Sequence, residues 1–149
     1  MTKLSGIVFD SSILIPFLRG LRYGEEVKTV FERGRGFIVT LVLFELYSGV
    51  RSKDDKKEVD IIFQESRRIG RLLNPEIEDW SQAGLFISQY IRLYGKIEPK
   101  DHMNDVMIAL LASKYGHTVV TENKKHFENW KRIFSRSGIR LNLIDITVP

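Results

Sequence analysis

A chain of 149 residues, 43% apolar and 28% charged, has the length for one hydrophobic core and little left for a second, so one domain spanning residues 1–149 is expected. It contains no cysteine, which excludes disulfides, thiolate metal sites and cysteine nucleophiles and leaves oxygen and imidazole as the only strong metal ligands. No apolar run approaches the roughly 18 residues needed to span a bilayer, and a carboxylate interrupts the apolar run of the opening MTKLSGIVFDSS, unlike a signal peptide; a cytoplasmic protein without membrane attachment is expected.

The net charge is +4 and the pI about 9.4, a balance that favours acidic partners. Between Lys114 and Arg140, seven Lys or Arg side chains stand against Glu122 and Glu128. This late concentration of positive charge reads either as a solvated face or as a surface turned toward phosphates.

Along the chain, short apolar and partly β-branched runs predict strands over 4–9, 36–39, 118–121 and 139–146. Helical patterns predict helices over 12–19, 25–33, 40–51, 56–73, 76–94, 101–115 and 124–136. In the fifth of these, Ile77, Trp80, Gly84, Ile87, Ile91 and Tyr94 recur at steps of three and four and predict the buried face, with Pro75 near the start and Gly95 at the stop. Strands separated by helices point to an α/β fold with a small parallel sheet of four or five strands between two helical layers, and the long interval 40–117 predicts a helical insertion free of strands. No repeat, low-complexity tract or glycine-rich nucleotide fingerprint is present.

Three acids stand out by position. Asp10 follows the first strand, at the carboxyl edge where open parallel sheets bind ligands; it, Ser11 or Ser12 could equally cap the next helix. Glu45 lies among Leu41, Val42, Leu43, Phe44, Leu46 and Val50. A carboxylate there either points outward on a helix capped by Thr40, or has a cation to offset the several kcal/mol that burying it would cost. Asp101 and Asp105 share one helix face. Asp101 suits an N-cap or first-turn acid, whereas Asp105 opens the apolar body Val106–Ala112. His102 and Asn104 read as cap or surface residues as readily as ligands.

The set Asp10-Ser11-Ser12, Glu45 within L-x-x-F-E-L-x-x-G, Asn104-Asp105-x-x-Ile108-Ala109 followed by Gly116, and Thr121-x-Asn123-x-x-His126-Phe127 resembles the PIN-domain ribonucleases, and among them the toxins of VapBC-type toxin–antitoxin modules. The resemblance covers nearly the whole chain and implies a PIN-like three-layer α/β/α fold. It implies Asp10, Glu45 and Asp105 as the catalytic and metal-binding acids, with Ser12, Thr121 and Asn123 in support. It further implies Mg²⁺ or Mn²⁺ as cofactor, RNA as substrate, 5′-phosphate and 3′-hydroxyl products, a cognate antitoxin that offers a basic side chain to the acids, and a symmetric homodimer.

One departure accompanies the match. Family members usually carry a fourth acid where Asn123 or His126 stands here, and the adjacent Glu122 should face the other side of a continuing strand. Hard divalent cations need few protein carboxylates, so three acids suffice for one ion. Two rival readings remain. A signalling receiver would need an acidic pair and a late lysine, of which GIVFDSS supplies one acid; a PIN-fold RNA- or protein-binding module without turnover would follow from the missing fourth acid. The aromatics Phe17, Tyr47, Trp80, Phe86 and Tyr90 belong either to the core or to partner and dimer surfaces.

Overall fold

The computed structural model describes residues 6–147. Five parallel strands, β1 (Ile7–Phe9), β2 (Gly36–Val39), β3 (Leu72–Leu73), β4 (Thr118–Thr121) and β5 (Asn142–Asp145), lie in the order β3-β2-β1-β4-β5. Seven helices connect them: α1 (Ser11–Leu18), α2 (Gly24–Glu32), α3 (Thr40–Ser48), α4 (Lys53–Arg68), α5 (Ile77–Tyr94), α6 (Pro99–Lys114) and α7 (Lys124–Arg136).

This order decides where the helices go. The chain moves outward one way from β1 to β2 to β3, returns across the sheet to β4, then moves outward the other way to β5. Right-handed crossovers therefore place α1–α4 on one face and α5–α7 on the other. The packing agrees: α1 meets α2, α3 and α4, while α5, α6 and α7 pack on one another. The result is a three-layer α/β/α arrangement, and the strand order reverses between β1 and β4.

Strands covered on both faces read as continuous apolar runs. Val8, Ile38, Val39 and Val119 are accordingly shut off from solvent. Helix α6 is buried over seven successive residues, Val106–Ala112, so it is the central helix of its layer. Helix α7 is amphipathic, with Phe127, Trp130, Ile133 and Phe134 inward. Among the described residues no helix is long and apolar enough to cross a membrane.

Strands 36–39 and 118–121 and helix 124–136 form as expected; the first strand is seen over Ile7–Phe9, and Leu4 lies outside the described residues. The fifth strand corrects the reading of 56–73 as one helix and of 40–117 as strand-free. Helix α4 ends at Arg68, Gly70 takes a left-handed backbone (φ 69°), and Leu72–Leu73 joins the edge of the sheet beside β2. A two-residue strand without β-branched side chains leaves almost no periodic trace.

The face of α5 is a second correction. Ile87 and Ile91 pack inward as expected, but Ile77 is 85% exposed and Trp80, Gly84 and Tyr94 also face solvent; the buried positions are Asp79, Ala83, Phe86 and Ile87. A polar contact sets this rotation. Asp79 accepts the Glu76 N–H at 2.9 Å and, nearly fully buried, takes Lys114 Nζ of α6 at 3.2 Å. Phe86 is therefore core, Phe17, Tyr47 and Tyr90 pack against it, and Trp80 remains open to solvent. The third correction is the start of α6, which begins at Pro99 after Glu98, leaving Asp101 in the first turn and not at the cap.

The Lys114–Asp79 pair ties the far end of α6 to the start of α5, and Lys114 is held above its usual range first by its hydrogen bond to Asp79. Lys114→Met should lower the denaturation midpoint at neutral pH, because Asp79 stays buried without its cation. Chemical denaturation of both proteins at pH 7 measures it, and an unchanged midpoint would remove the pair from the account of α5 packing.

Candidate active site

Polar groups gather where the strand order reverses, beyond the carboxyl ends of β1 and β4, the position at which open parallel sheets form a crevice. Asp10 follows β1 and is only 5% exposed. Its side chain is held by one neighbour two residues on and by another from across the sheet. Ser12 Oγ donates to Asp10 Oδ1 at 2.5 Å and Thr121 Oγ1, at the end of β4, donates to Oδ2 at 2.7 Å. The two hydroxyls in turn accept backbone N–H groups of the β4–α7 turn, Ser12 from Glu122 at 3.2 Å and Thr121 from Asn123 at 2.9 Å. Each hydroxyl thus spends its one proton on Asp10 and a lone pair on the turn.

The other two acids arrive on helices from opposite layers. Asp105 sits on α6, one residue before its buried body, with its side chain 28% exposed. Glu45 sits on α3, and Asn104 of α6 donates to its Oε1 at 2.8 Å, so α3 and α6 meet at this point. His126 approaches from the first turn of α7, its Nδ1 3.9 Å from Asp105 Oδ2. Asn123 occupies the N-cap position of α7 with no side-chain capping bond, and its side chain is exposed. Glu122 turns away as expected, accepting Tyr23 Oη at 2.5 Å and pairing with Arg22 at 3.5 Å. Thr40 is the first residue of α3 rather than its cap, and its hydroxyl goes to Asn74 at 2.8 Å.

The electrostatics bind the three acids into one set. Burial pushes the Asp10 carboxyl up, opposed by its bonds from Ser12 and Thr121, and the charge of Glu45 adds to the rise. Asp105 is pushed up to about 6, first by burial and then by the negative charge of Asp10, with His126 opposing and Glu45 contributing. Asp10, Glu45 and Asp105 therefore lie within electrostatic reach of one another, whereas no three acidic or imidazole side chains among the described residues form a ready-made metal cage. Two contributions escaped the sequence reading. Asn104, legible only as a motif position and as a cap, surface or ligand candidate, orients Glu45; the nearness of His126 to Asp105 depends on how α7 leaves the sheet.

The chain matches the PIN domain family over residues 7–145. It belongs to that family. PIN domains are generally nucleases, and carboxylates at the carboxyl edge of a parallel sheet are where such chemistry would be placed. No curated protein matches the sequence. Among solved structures this PIN domain is similar to DNA-bound VapBC from Salmonella typhimurium, at 21% identity and TM-score 0.61 over 94% of this chain and 98% of that one. It is also similar to VapBC2 from Rickettsia felis bound to a promoter DNA fragment, at 19% identity and TM-score 0.63 over 93% and 96%. VapBC-1 from nontypeable Haemophilus influenzae matches at 19% identity and TM-score 0.62 over 95% and 98%. At these identities the likeness is one of fold.

An acid whose folded pKa exceeds its unfolded value near 3.8 holds its proton more tightly in the folded state, so folding stability falls as pH rises from about 4 through about 6 and stays reduced above. Asp105→Asn should remove this loss. In EDTA at pH 7.5 the variant should be more stable by roughly 1–3 kcal/mol, with the gain vanishing near pH 4. Thermal melts across that range check it, and a variant that melts lower at pH 7.5 would make Asp105 a structural residue.

Proposed function

We propose that this PIN domain is a metal-dependent endoribonuclease and the toxin of a toxin–antitoxin pair. The observation that carries the reading is the concentration of negative charge at the strand-order reversal, where Asp10 and Glu45 help push Asp105 up to about 6. That excess suits a hard cation. Mg²⁺ is commonly held by one or two carboxylates and keeps several waters, so it needs no preformed cage of side chains. Asp10 and Asp105 would hold Mg²⁺ or Mn²⁺, with Glu45 and the Asn123 side-chain oxygen as further donors.

When bound, such an ion supplies positive charge to the scissile phosphate and acidity to the attacking water. The chain's own part is positioning. Ser12 and Thr121 oppose the effect of burial on Asp10 and fix its plane, and Asn104 orients one oxygen of Glu45. Water adds its oxygen to phosphorus as the bond to the 3′-oxygen breaks and that oxygen takes a proton, which leaves a 5′-phosphate and a 3′-hydroxyl. Next to Glu45 and Asn104, a groove lined by Leu41, Phe44, Met103 and Lys100, with Phe44 74% exposed, offers a ring for a base to stack on and a cation for its phosphate.

The partner follows from charge and from the VapBC complexes that this fold resembles: a small antitoxin laying a flexible segment over the acids and offering them a basic side chain. A symmetric homodimer and a cytoplasmic site of action go with this reading, and the exposed Trp80 is a candidate contact. Wild-type protein in Mn²⁺ should cleave mixed RNA to 5′-phosphorylated fragments, and Asp10→Asn or Asp105→Asn should lower the rate by at least ~100-fold. Mapping RNA ends after expression with and without the neighbouring gene identifies target and antitoxin together. A wild type without metal-dependent cleavage would overturn the nuclease reading.

A second reading, a PIN fold that binds RNA or protein with little turnover, is favoured by one feature. Asn123 and His126 stand where the resemblance places a fourth acid. Since the exposed His126 side chain reaches to within 3.9 Å of Asp105, His126→Asp should lower the Mn²⁺ concentration for half-maximal cleavage by about 5–10-fold, and Asn123→Asp should change it less. Calorimetric metal titrations of the three proteins test this ranking. Equal affinity in all three would place the turn outside the site.

A further inference from the structure

Helix α7 has two faces, of which the core uses one. Phe127, Trp130, Ile133 and Phe134 point inward, and the outer face carries Lys125, Arg132 and Arg136 in one row at spacings of seven and four, with Lys131 alongside. Arg92 of α5 shares a surface groove with Arg136, and Arg140, beyond the end of α7, shares another with Lys131. A third groove, lined by Lys131, Arg132, Ser135 and Arg136, joins these two. The three form one continuous strip, and Glu128 is the sole acid lining it.

All six cations are exposed, and among the described residues none of them is in an ion pair. The fold uses part of this arrangement, since Arg92 and Arg136 lie in the last turns of their helices and Arg132 donates to Asn129 at 3.1 Å, but among the described residues no carboxylate neutralises any of the six. Lys125 stands in the first turn of α7, which has no acid, where the helix dipole disfavours a cation. The strip also begins at the candidate active site, since His126, one residue beyond Lys125, is the residue facing Asp105. From Lys125 it runs about 10 Å to Arg132 and a further 6 Å to Arg136, at 1.5 Å of rise per residue. That is the rise of about five stacked nucleotides.

We infer that the outer face of α7, extended by Arg92 and Arg140, is a docking strip for the phosphate backbone of a folded RNA substrate, engaged several nucleotides away from the bond that is cut. The inference rests on the nuclease reading for the identity of the RNA as substrate. Charge complementarity selects a polyanion, and the linear course of the cations away from the acids selects a strand continuing from the scissile phosphate. Affinity gained here is independent of base sequence, and it separates folded RNAs long enough to reach the strip from short strands that fill the acidic site alone.

Fluorescence anisotropy of the full chain in EDTA, over a range of salt, compares a transcript containing several hairpins with a single strand of about three nucleotides, too short to occupy the acidic site and reach Arg132 and Arg136 as well. Cleavage of both RNAs in Mn²⁺ runs in parallel. Arg132→Glu/Arg136→Glu should weaken binding of the long RNA by about tenfold or more and reduce the slope of log affinity against log salt by about 1.5–2. Binding and cleavage of the short strand should stay within about twofold of wild type, since neither arginine touches the acids. Arg132→Gln/Arg136→Gln should show a smaller loss, and unchanged melting temperatures in both variants exclude a folding effect. Wild-type affinity of the variants for the long RNA would overturn the strip, as would an equal loss on the short strand. So would wild-type protein that binds anionic phospholipid vesicles and not the long RNA. If wild type binds long RNA through these arginines yet cleaves neither RNA, the strip stands and the nuclease reading falls; if it cleaves but the variants bind like wild type, the reverse holds.

Discussion

A carboxylate buried at the end of the first strand organises this protein. Asp10 is nearly inaccessible, and removing its charge from water costs several kcal/mol unless donors replace the water. The donors are Ser12, two residues on, and Thr121, 111 residues on. That second bond forms only if β4 lies directly beside β1, which in turn requires the chain to build β2 and β3 outward and then return across the sheet. The strand reversal that opens the crevice and the bond that stabilises its first acid are one topological fact.

The same crevice explains why the second helical layer is built so rigidly. Helix α6 presents Asp105 at its exposed end and is buried over the seven residues that follow. Its far end is tied to α5 through Lys114 and Asp79. A helix enclosed over that stretch cannot rotate to relieve repulsion among its neighbours, so Asp105 answers first its burial and then the charge of Asp10 by holding its proton more tightly. Fixed, mutually repelling carboxylates are the arrangement that a divalent cation relieves, and they destabilise the protein without one.

Helix α7 shows how one segment serves core and surface at once. Its aromatic and aliphatic face, centred on Trp130 and Phe134, closes the second layer, and Phe134 packs on Phe86 with ring centroids 4.4 Å apart. Its outer face carries cations that the fold does not neutralise. Because α7 starts at the turn donating N–H groups to Ser12 and Thr121, its outer face is aimed outward from the acidic crevice.

Much of this was determined by the sequence itself. Short, largely β-branched runs such as Gly36–Val39 and Thr118–Thr121 favour buried strands, and the spacing of Phe127, Trp130, Ile133 and Phe134 fits a helix with one buried side. Asp10, Glu45 and Asp105 were legible for the same reason, since a charge inside an apolar stretch violates the local pattern. What the tertiary structure decided are pairings between distant residues. Thr121 as a donor to Asp10, Asn104 as the partner of Glu45, the approach of His126 to Asp105, and the rotation of α5 about Asp79 each depend on a side chain from another element. The two-residue edge strand β3 exists because β2 offers it an open ladder, not because Leu72–Leu73 prefers one. Local sequence sets which faces must be buried; which groups then meet across the fold is settled by the order in which the strands are laid side by side.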